Sequence, residues 1–70
     1  MGSKLTEIRK NAGFKLEDAA VKLGLPFGYL SNIENGERSV TPERAASIAD
    51  LYGKEVDEIF LPSRYSVREV

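Results

Sequence analysis

Residues 13–38 of the chain read GFKLEDAAVKLGLPFGYLSNIENGER, and this stretch decides the fold. Apolar residues recur at helical spacing from position 16 to position 23. The same spacing recurs from 27 to 35 and stops before Gly36, a residue that can adopt the left-handed conformation that closes a helix. Gly24-Leu25-Pro26 lies between the two patterns, and its composition predicts a tight turn.

Two helices of about eight or nine residues are too short to support each other, so the pattern predicts a helix-turn-helix that further helices carry. In such a unit the second helix is the one that enters a groove of DNA. The flanking sequence supplies the other helices. We expect helices at about 4–12, 16–23, 26–35, 42–52 (with Thr41 as N-cap) and 56–61, which makes an all-α, compact five-helix bundle.

Seventy residues allow one domain with one small hydrophobic core. Small residues at several inward positions predict close helix contacts, because large side chains would force the helix axes apart. The expected core consists of Leu5, Ile8, Phe14, Ala19, Ala20, Leu23, Leu25, Leu30, Ile33, Ala45, Ile48, Ala49, Tyr52, Val56, Ile59 and Phe60.

Composition excludes several classes of function. The chain has no cysteine and no histidine, which removes disulfides, thiol catalysis and the zinc sites built from those ligands. No pattern resembles an active site or a cofactor-binding loop, so we expect neither enzymatic activity nor a cofactor. No apolar run approaches the roughly 20 residues that span a membrane, and we expect a cytoplasmic location.

The charge balance is unusual for a nucleic-acid-binding domain, which is generally basic. The formal net charge is −1. Residues 1–44 hold seven basic and six acidic side chains, whereas residues 45–70 hold three basic and five acidic ones. Since few phosphates can be neutralised, we expect modest DNA affinity per monomer and a shallow salt dependence.

The helix-turn-helix stretch resembles that of the Cro and phage-repressor-type regulators, the Xre family. The residues that match are Ala20, Leu23-Gly24, Leu30-Ser31, Ile33-Glu34 and Gly36, with further similarity at 5–9, 48–53 and 56–60. The similarity covers residues 4–61, most of the chain, and we treat these residues as one DNA-binding domain. It implies a lambda-repressor-like fold, a bacterial or phage origin, and a double-stranded DNA operator as partner.

The resemblance assigns the reading of bases to the exposed side of helix 3. The positions implied are Phe27, Gly28, Ser31 and Asn32. Asn32 suits this role because an amide can both donate to and accept from adenine in the major groove. Phe27 and Gly28 depart from the polar residues more usual in the family. Phe27 can touch a thymine methyl group, serve a protein partner, or fold back onto Pro26.

Contacts to the DNA backbone are implied on both sides of this helix. The positions are Lys15, Tyr29, Asn35, Arg38, Ser39, Thr41 and Arg44. Hydroxyl, amide and guanidinium donors suit phosphate oxygens. The hydroxyl of Tyr29 can reach a phosphate, and its ring can also pack half-buried against helix 2. Leu16 replaces the family's usual glutamine, so one positioning contact is lost, and Glu37 opposes phosphate binding.

The resemblance also implies an ion pair between Arg9 in helix 1 and Glu34 at the end of helix 3. We expect this pair to be partly buried and to hold helix 3 against helix 1.

Residues 62–70 form a tail outside the helical pattern, in which apolar and polar residues alternate as in a strand. The tail is either a frayed end or an extended arm that pairs with a second subunit or packs on helix 5. Family members usually bind two half-sites as dimers. We therefore expect a homodimer that uses Leu61, Tyr65 and Val67.

Two functions follow from these observations. The first is a sequence-specific DNA-binding transcriptional regulator of the Cro/repressor type. The second is a protein-interaction module on the same fold, with weak or no DNA binding and an antirepressor or an RNA polymerase subunit as partner. The acidic balance and the residues Leu16, Phe27 and Glu37 favour the second.

Overall fold

A computed structural model describes residues 3–69 and contains five α-helices in this part of the chain. They are α1 (Lys4–Asn11), α2 (Leu16–Leu23), α3 (Phe27–Glu34), α4 (Pro42–Tyr52) and α5 (Val56–Ile59). The prediction of an all-α five-helix bundle is confirmed.

Local sequence explains most helix ends. Ser3 and Thr41 are N-caps, and their side chains accept hydrogen bonds from the backbone N–H groups of Thr6 and Arg44. Gly24 ends α2 with a φ of 69°, in the left-handed region that favours glycine. The turn between α2 and α3 is short for this reason.

Three helices are shorter than predicted. Helix α1 ends at Asn11, before Ala12, and α3 excludes both Pro26 and Asn35, which are its caps. Helix α5 ends at Ile59, because Phe60 is extended with φ −118° and ψ 149°. Phe60 is extended because it pairs with Val67 in an antiparallel bridge, a long-range interaction that helical periodicity does not report.

The core lies between the helices and includes most of the predicted residues. Its largest fully buried side chains are Leu5, Leu30, Ile33, Ile48, Ile59 and Phe60. Phe14, Leu23, Tyr52 and Val56 were expected inside but are only partly buried against its edge. Two apolar core residues were not predicted, Val40 and Val67, and both lie outside the helices.

The C-terminal segment, residues 60–69, folds back along its own chain. The N–H of Arg68 donates to the carbonyl of Ile59 over 2.8 Å, and the carbonyl of Arg68 accepts from the N–H of Lys4 over 2.6 Å. Ser3 and Glu69 form a second antiparallel bridge. The segment thus joins the start of α1 to the end of α5 and is not a frayed end.

This segment also holds the loop between α3 and α4. The N–H of Val40 donates to the carbonyl of Tyr65 over 3.1 Å. A Cβ added at Gly36 would lie 3.9 Å from Cγ2 of Val67, so the two ends of the loop both rest near the segment. The position of the loop therefore depends on residues 60–69.

The expectation that Val67 contacts a second subunit needs correction. Its side chain is 6% exposed and forms part of the core of its own chain. Tyr65 is half-buried, and Leu61 is the most exposed of the three residues assigned to a dimer surface, at 36%. The alternating pattern of the tail arises because it pairs within the monomer.

Candidate nucleic-acid interface

Helix α3 is amphipathic, and its outer face carries the residues expected to read bases. Leu30, Ile33 and Glu34 are buried. The spacing of a helix places positions 27, 28, 31, 32 and 35 together on the opposite side. Phe27, Gly28, Asn32 and Asn35 are exposed there and Ser31 is half-buried, so this face offers amide and hydroxyl groups and no charge.

The C-terminal end of α3 is attached to α1 by a buried ion pair. Nε of Arg9 lies 2.9 Å from Oε2 and 3.2 Å from Oε1 of Glu34, and the side chains are only 9% and 4% exposed. The guanidinium also donates to the carbonyl of Phe14 over 2.9 Å. One side chain thus links α1, α3 and the loop before α2.

Thr6 completes this network and was not predicted. Its hydroxyl donates to Oε1 of Glu34 over 2.9 Å. Thr6 precedes Arg9 by three residues, so the two side chains share one face of α1. Once the Arg9–Glu34 pair is assumed, this three-residue spacing is the sequence signal that could have identified Thr6 as a further partner of Glu34. The bond orients the carboxylate and so stiffens the support of α3.

Tyr52 packs beside the same pair. Its ring meets that of Phe14 edge to face, with centroids 5.8 Å apart. Burial and, to a smaller extent, the negative charge of Glu34 raise the pKa of Tyr52, while the positive charge of Arg9 lowers it, and the net result is a pKa of about 12. Its hydroxyl oxygen finds no hydrogen-bond partner among residues 3–69. The phenol therefore stays neutral and serves as apolar packing.

The fold does not require glycine at position 28. A Cβ added there meets no atom within 4 Å, and the backbone is helical rather than left-handed. A glycine in a helix loses stability relative to alanine. The monomer fold therefore gives no reason for glycine at this exposed position.

The residues predicted to contact the DNA backbone differ in how many of their side-chain groups are available to bind a phosphate. Oγ1 of Thr41 accepts from the N–H of Arg44 over 3.1 Å as the N-cap of α4, so its hydroxyl keeps only its proton for a phosphate. Ser39 and Asn35 are exposed. Lys15 is the N-cap residue of α2 but makes no side-chain cap bond.

The N-terminus of α2 is electrostatically mixed. Its first N–H groups lack a side-chain cap, which leaves donors for an anion. Glu17 and Asp18, however, lie in its first turn and are exposed. Their carboxylates offset the charge of Lys15, so this end is less favourable to an anion than the side of α3 that carries two arginines.

On that other side, three side chains from different elements come together. Cζ of Arg38 lies 4.7 Å from the centroid of the Tyr29 ring, and Cζ of Arg44 lies 5.5 Å from it. Arg38 belongs to the loop after α3, and Arg44 belongs to the first turn of α4. The structure thus brings together two of the cations that sequence assigned to the DNA backbone.

A family model described as helix-turn-helix matches residues 5–59. The chain belongs to this family, the Cro/C1-type or Xre-like helix-turn-helix domains. It is therefore a DNA-binding helix-turn-helix regulator, of a class that is not generally enzymatic. Comparisons with curated proteins and with solved structures gave no match.

The described residues were also compared with the requirements of a metal site and of a membrane-spanning helix. Within residues 3–69, no cluster of acidic, histidine or cysteine side chains is arranged to hold a metal ion. None of the helices described there has the length and apolar character needed to cross a membrane.

Proposed function

We propose that this chain is a sequence-specific transcriptional regulator of the Cro/repressor type, which inserts α3 into the major groove of double-stranded DNA. The observation that carries the proposal is the uncharged outer face of α3, where Asn32 and Asn35 are exposed and Ser31 is half-buried, together with two arginines held at the Tyr29 ring of the same helix. Polar groups of this kind read base edges, and the flanking cations fix the position of the helix on phosphates. Such a protein acts at promoters in the cytoplasm.

The residues divide the work in this proposal. Ser31 and Asn32 supply hydrogen bonds to base edges, and Phe27 supplies apolar contact with a thymine methyl group. Phosphate contacts come from the two arginines, with Ser39, Asn35, Lys15 and the hydroxyl proton of Thr41 as further donors. The buried Arg9–Glu34 pair keeps the reading face in a fixed orientation.

The test is selection from a random pool of duplexes at low salt, performed on the parent and on Asn32→Ala. We expect the parent to enrich a palindrome and the variant to lose preference at one position in each half-site. A lost bidentate contact corresponds to roughly 1–3 kcal/mol of discrimination at that base.

Asn11→Ala is the matched control for this selection. Asn11 is an exposed asparagine at the end of α1, in a groove lined by Tyr52, Lys54 and Glu58 rather than by α3. The control protein is expected to select the parental sequence. No enrichment by a parent whose fold is shown by circular dichroism would contradict the proposal.

One observation favours a second function, a protein-interaction module. Phe27 is 56% exposed and Val21 is 81% exposed, and these are large exposed fractions for apolar side chains. Phe27 lies on α3 and Val21 on α2, and α2 also carries Glu17 and Asp18 in its first turn. An antirepressor or an RNA polymerase subunit fits this reading. A folded parent that enriches no duplex would favour it, and Phe27 would be the next residue to change.

Replacing Gly28 by alanine separates stability from function. We expect Gly28→Ala to raise the free energy of unfolding by up to about 1 kcal/mol, because alanine favours a helix and no atom lies in its way. DNA affinity should fall at the same time by about tenfold or more, roughly 1.4 kcal/mol, because the new methyl group keeps the helix from the DNA.

Thermal unfolding and titration of the selected duplex measure the two effects. Ala46→Gly, on the exposed face of α4, is the control for propensity alone and should lower stability without changing affinity. Unchanged or tighter DNA binding by Gly28→Ala would show that the glycine is not used for close approach.

A further inference from the structure

The aromatic ring of Tyr29 lies next to two guanidinium groups that have no acidic partner. Among residues 3–69, neither Arg38 nor Arg44 has a carboxylate within the 4.0 Å of a salt bridge. Both lie within 5.5 Å of the same ring centroid. The two Cζ atoms are therefore at most 10.2 Å apart (4.7 Å plus 5.5 Å). Like charges at such a separation repel, so their shared position beside one ring needs a compensating attraction in the free protein.

The face of the ring supplies that attraction. The π-electron cloud of tyrosine is negative on its face and attracts cations, and guanidinium groups stack on it readily. Tyr29 is itself held in place, since it is half-buried and packs against the core. The ring therefore offers a fixed surface to two otherwise flexible side chains from the loop and from α4.

We propose that Tyr29 is a positioning residue whose ring, and not its hydroxyl, orients Arg38 and Arg44 into one preformed site for a phosphate group. The proposal rests on the proposed DNA-binding function and deepens it by naming how the backbone contact is made. Two guanidinium groups suit a phosphodiester, because each can donate to one of its oxygens in a planar, charge-assisted geometry. Free phosphate offers the same oxygens and is the other source of this ligand.

The site also explains how a chain of net charge −1 can bind DNA. Affinity for phosphates depends on the cations at the contact rather than on the total charge. Flexible arginines lose side-chain entropy when they bind, and a ring that restricts them beforehand reduces this loss. Preorganisation of two cations thus offsets their small number.

The experiment compares Tyr29→Phe, which keeps the ring, with Tyr29→Leu, which removes it. The first measurement is made on the free proteins by NMR and records the side-chain proton shifts of Arg38 and Arg44. We expect upfield ring-current shifts in the parent and in Tyr29→Phe, and their loss in Tyr29→Leu. This measurement needs no DNA, so its outcome is independent of the proposed function.

The second measurement is the affinity for the selected duplex between low and moderate salt. We expect Tyr29→Phe to match the parent, and Tyr29→Leu to bind about tenfold more weakly. In the variant with both Arg38→Gln and Arg44→Gln, affinity should also depend less on salt. The slope of the logarithm of the binding constant against the logarithm of salt concentration should fall in magnitude by between one and two. Tyr29→Met, a second variant without a ring, replaces Tyr29→Leu if that protein melts below the assay temperature.

Each result bears on the proposal. If Tyr29→Phe loses as much affinity as Tyr29→Leu, the hydroxyl makes the contact and the proposal is wrong. Full affinity in Tyr29→Leu would overturn it equally. If the parent binds no duplex but shows the ring-current shifts and binds inorganic phosphate at these arginines, the DNA-binding proposal fails while the anion site stands. Absence of the shifts in a parent that binds DNA would reject the site alone.

Discussion

Replacing Glu34 by glutamine is expected to destabilise the folded protein by about 3–5 kcal/mol, because it leaves the Arg9 guanidinium buried without its counter-charge. A chain of this size has roughly 4–10 kcal/mol of stability in total, at the usual 0.05–0.15 kcal/mol per residue. The variant should therefore be close to unfolding at room temperature. Arg9→Met should lower the free energy of unfolding by a similar amount, because it leaves the buried carboxylate of Glu34 without its cation.

The double variant, with Arg9→Met and Glu34→Gln, should recover part of that loss. Removing both charges eliminates the unpaired buried ion, and a double-mutant cycle measured by urea unfolding gives the coupling directly. The exposed pair Lys4–Glu7 is the internal control. Its charges lie 3.4 Å apart with side chains 42% and 47% exposed, so Glu7→Gln should change stability by less than about 1 kcal/mol. A coupling near zero between Arg9 and Glu34 would reject the structural role of the pair.

Truncating Val67 is the second change with a large expected effect. Val67→Ala should lower the free energy of unfolding by about 1.5–3 kcal/mol, because its buried methyl groups fill core space between Phe60 and the loop at Gly36. Leu61→Ala, at the most exposed of the segment's large apolar side chains, should cost less than Val67→Ala, about 1 kcal/mol or less, because Leu61 is 36% exposed. Thermal or urea unfolding of the two variants distinguishes these roles.

Leu61→Ala also tests the expectation of a homodimer. A single short helix presents little contact with DNA, and a palindromic site is read by two copies. With Val67 buried, Leu61 is the residue to change, so Leu61→Ala should weaken self-association in analytical ultracentrifugation while the monomer stays folded. A parent that sediments only as a monomer at high concentration would contradict the dimer. Equal stability of Val67→Ala and the parent would contradict the structural role of residues 60–69.

The residues on the outer face of α3 were predictable because the local pattern of apolar residues determines which side of a helix is buried. Leu30 and Ile33 at helical spacing fix which side of α3 is buried, and so which side Ser31 and Asn32 occupy. Glycine and proline at the turn, and Thr41 as N-cap, similarly determine helix ends. Resemblance to the family added the pairing of Arg9 with Glu34, which spacing alone does not reveal.

The arrangement around Tyr29 was not predictable in the same way. Sequence assigned Tyr29, Arg38 and Arg44 separately to the DNA backbone, but the loop between them has no periodicity that sets the direction of a side chain. Their approach to one ring depends on how the loop crosses the surface.

The sequence by itself determined the fold class, the helices and the outward face of α3, because amphipathic spacing, caps and glycine stops act over a few residues. Only the tertiary structure determined whether residues 60–69 pair within their own chain or with a second subunit. Their alternating pattern suits pairing with a second subunit as well as pairing within the chain, and nothing local distinguishes the two. In the structure the segment pairs within its own chain, through the bridge between Phe60 and Val67 and the hydrogen bond from Val40 to Tyr65. Local sequence does not determine this outcome, because the burial of Val67 requires contacts from segments far apart in sequence.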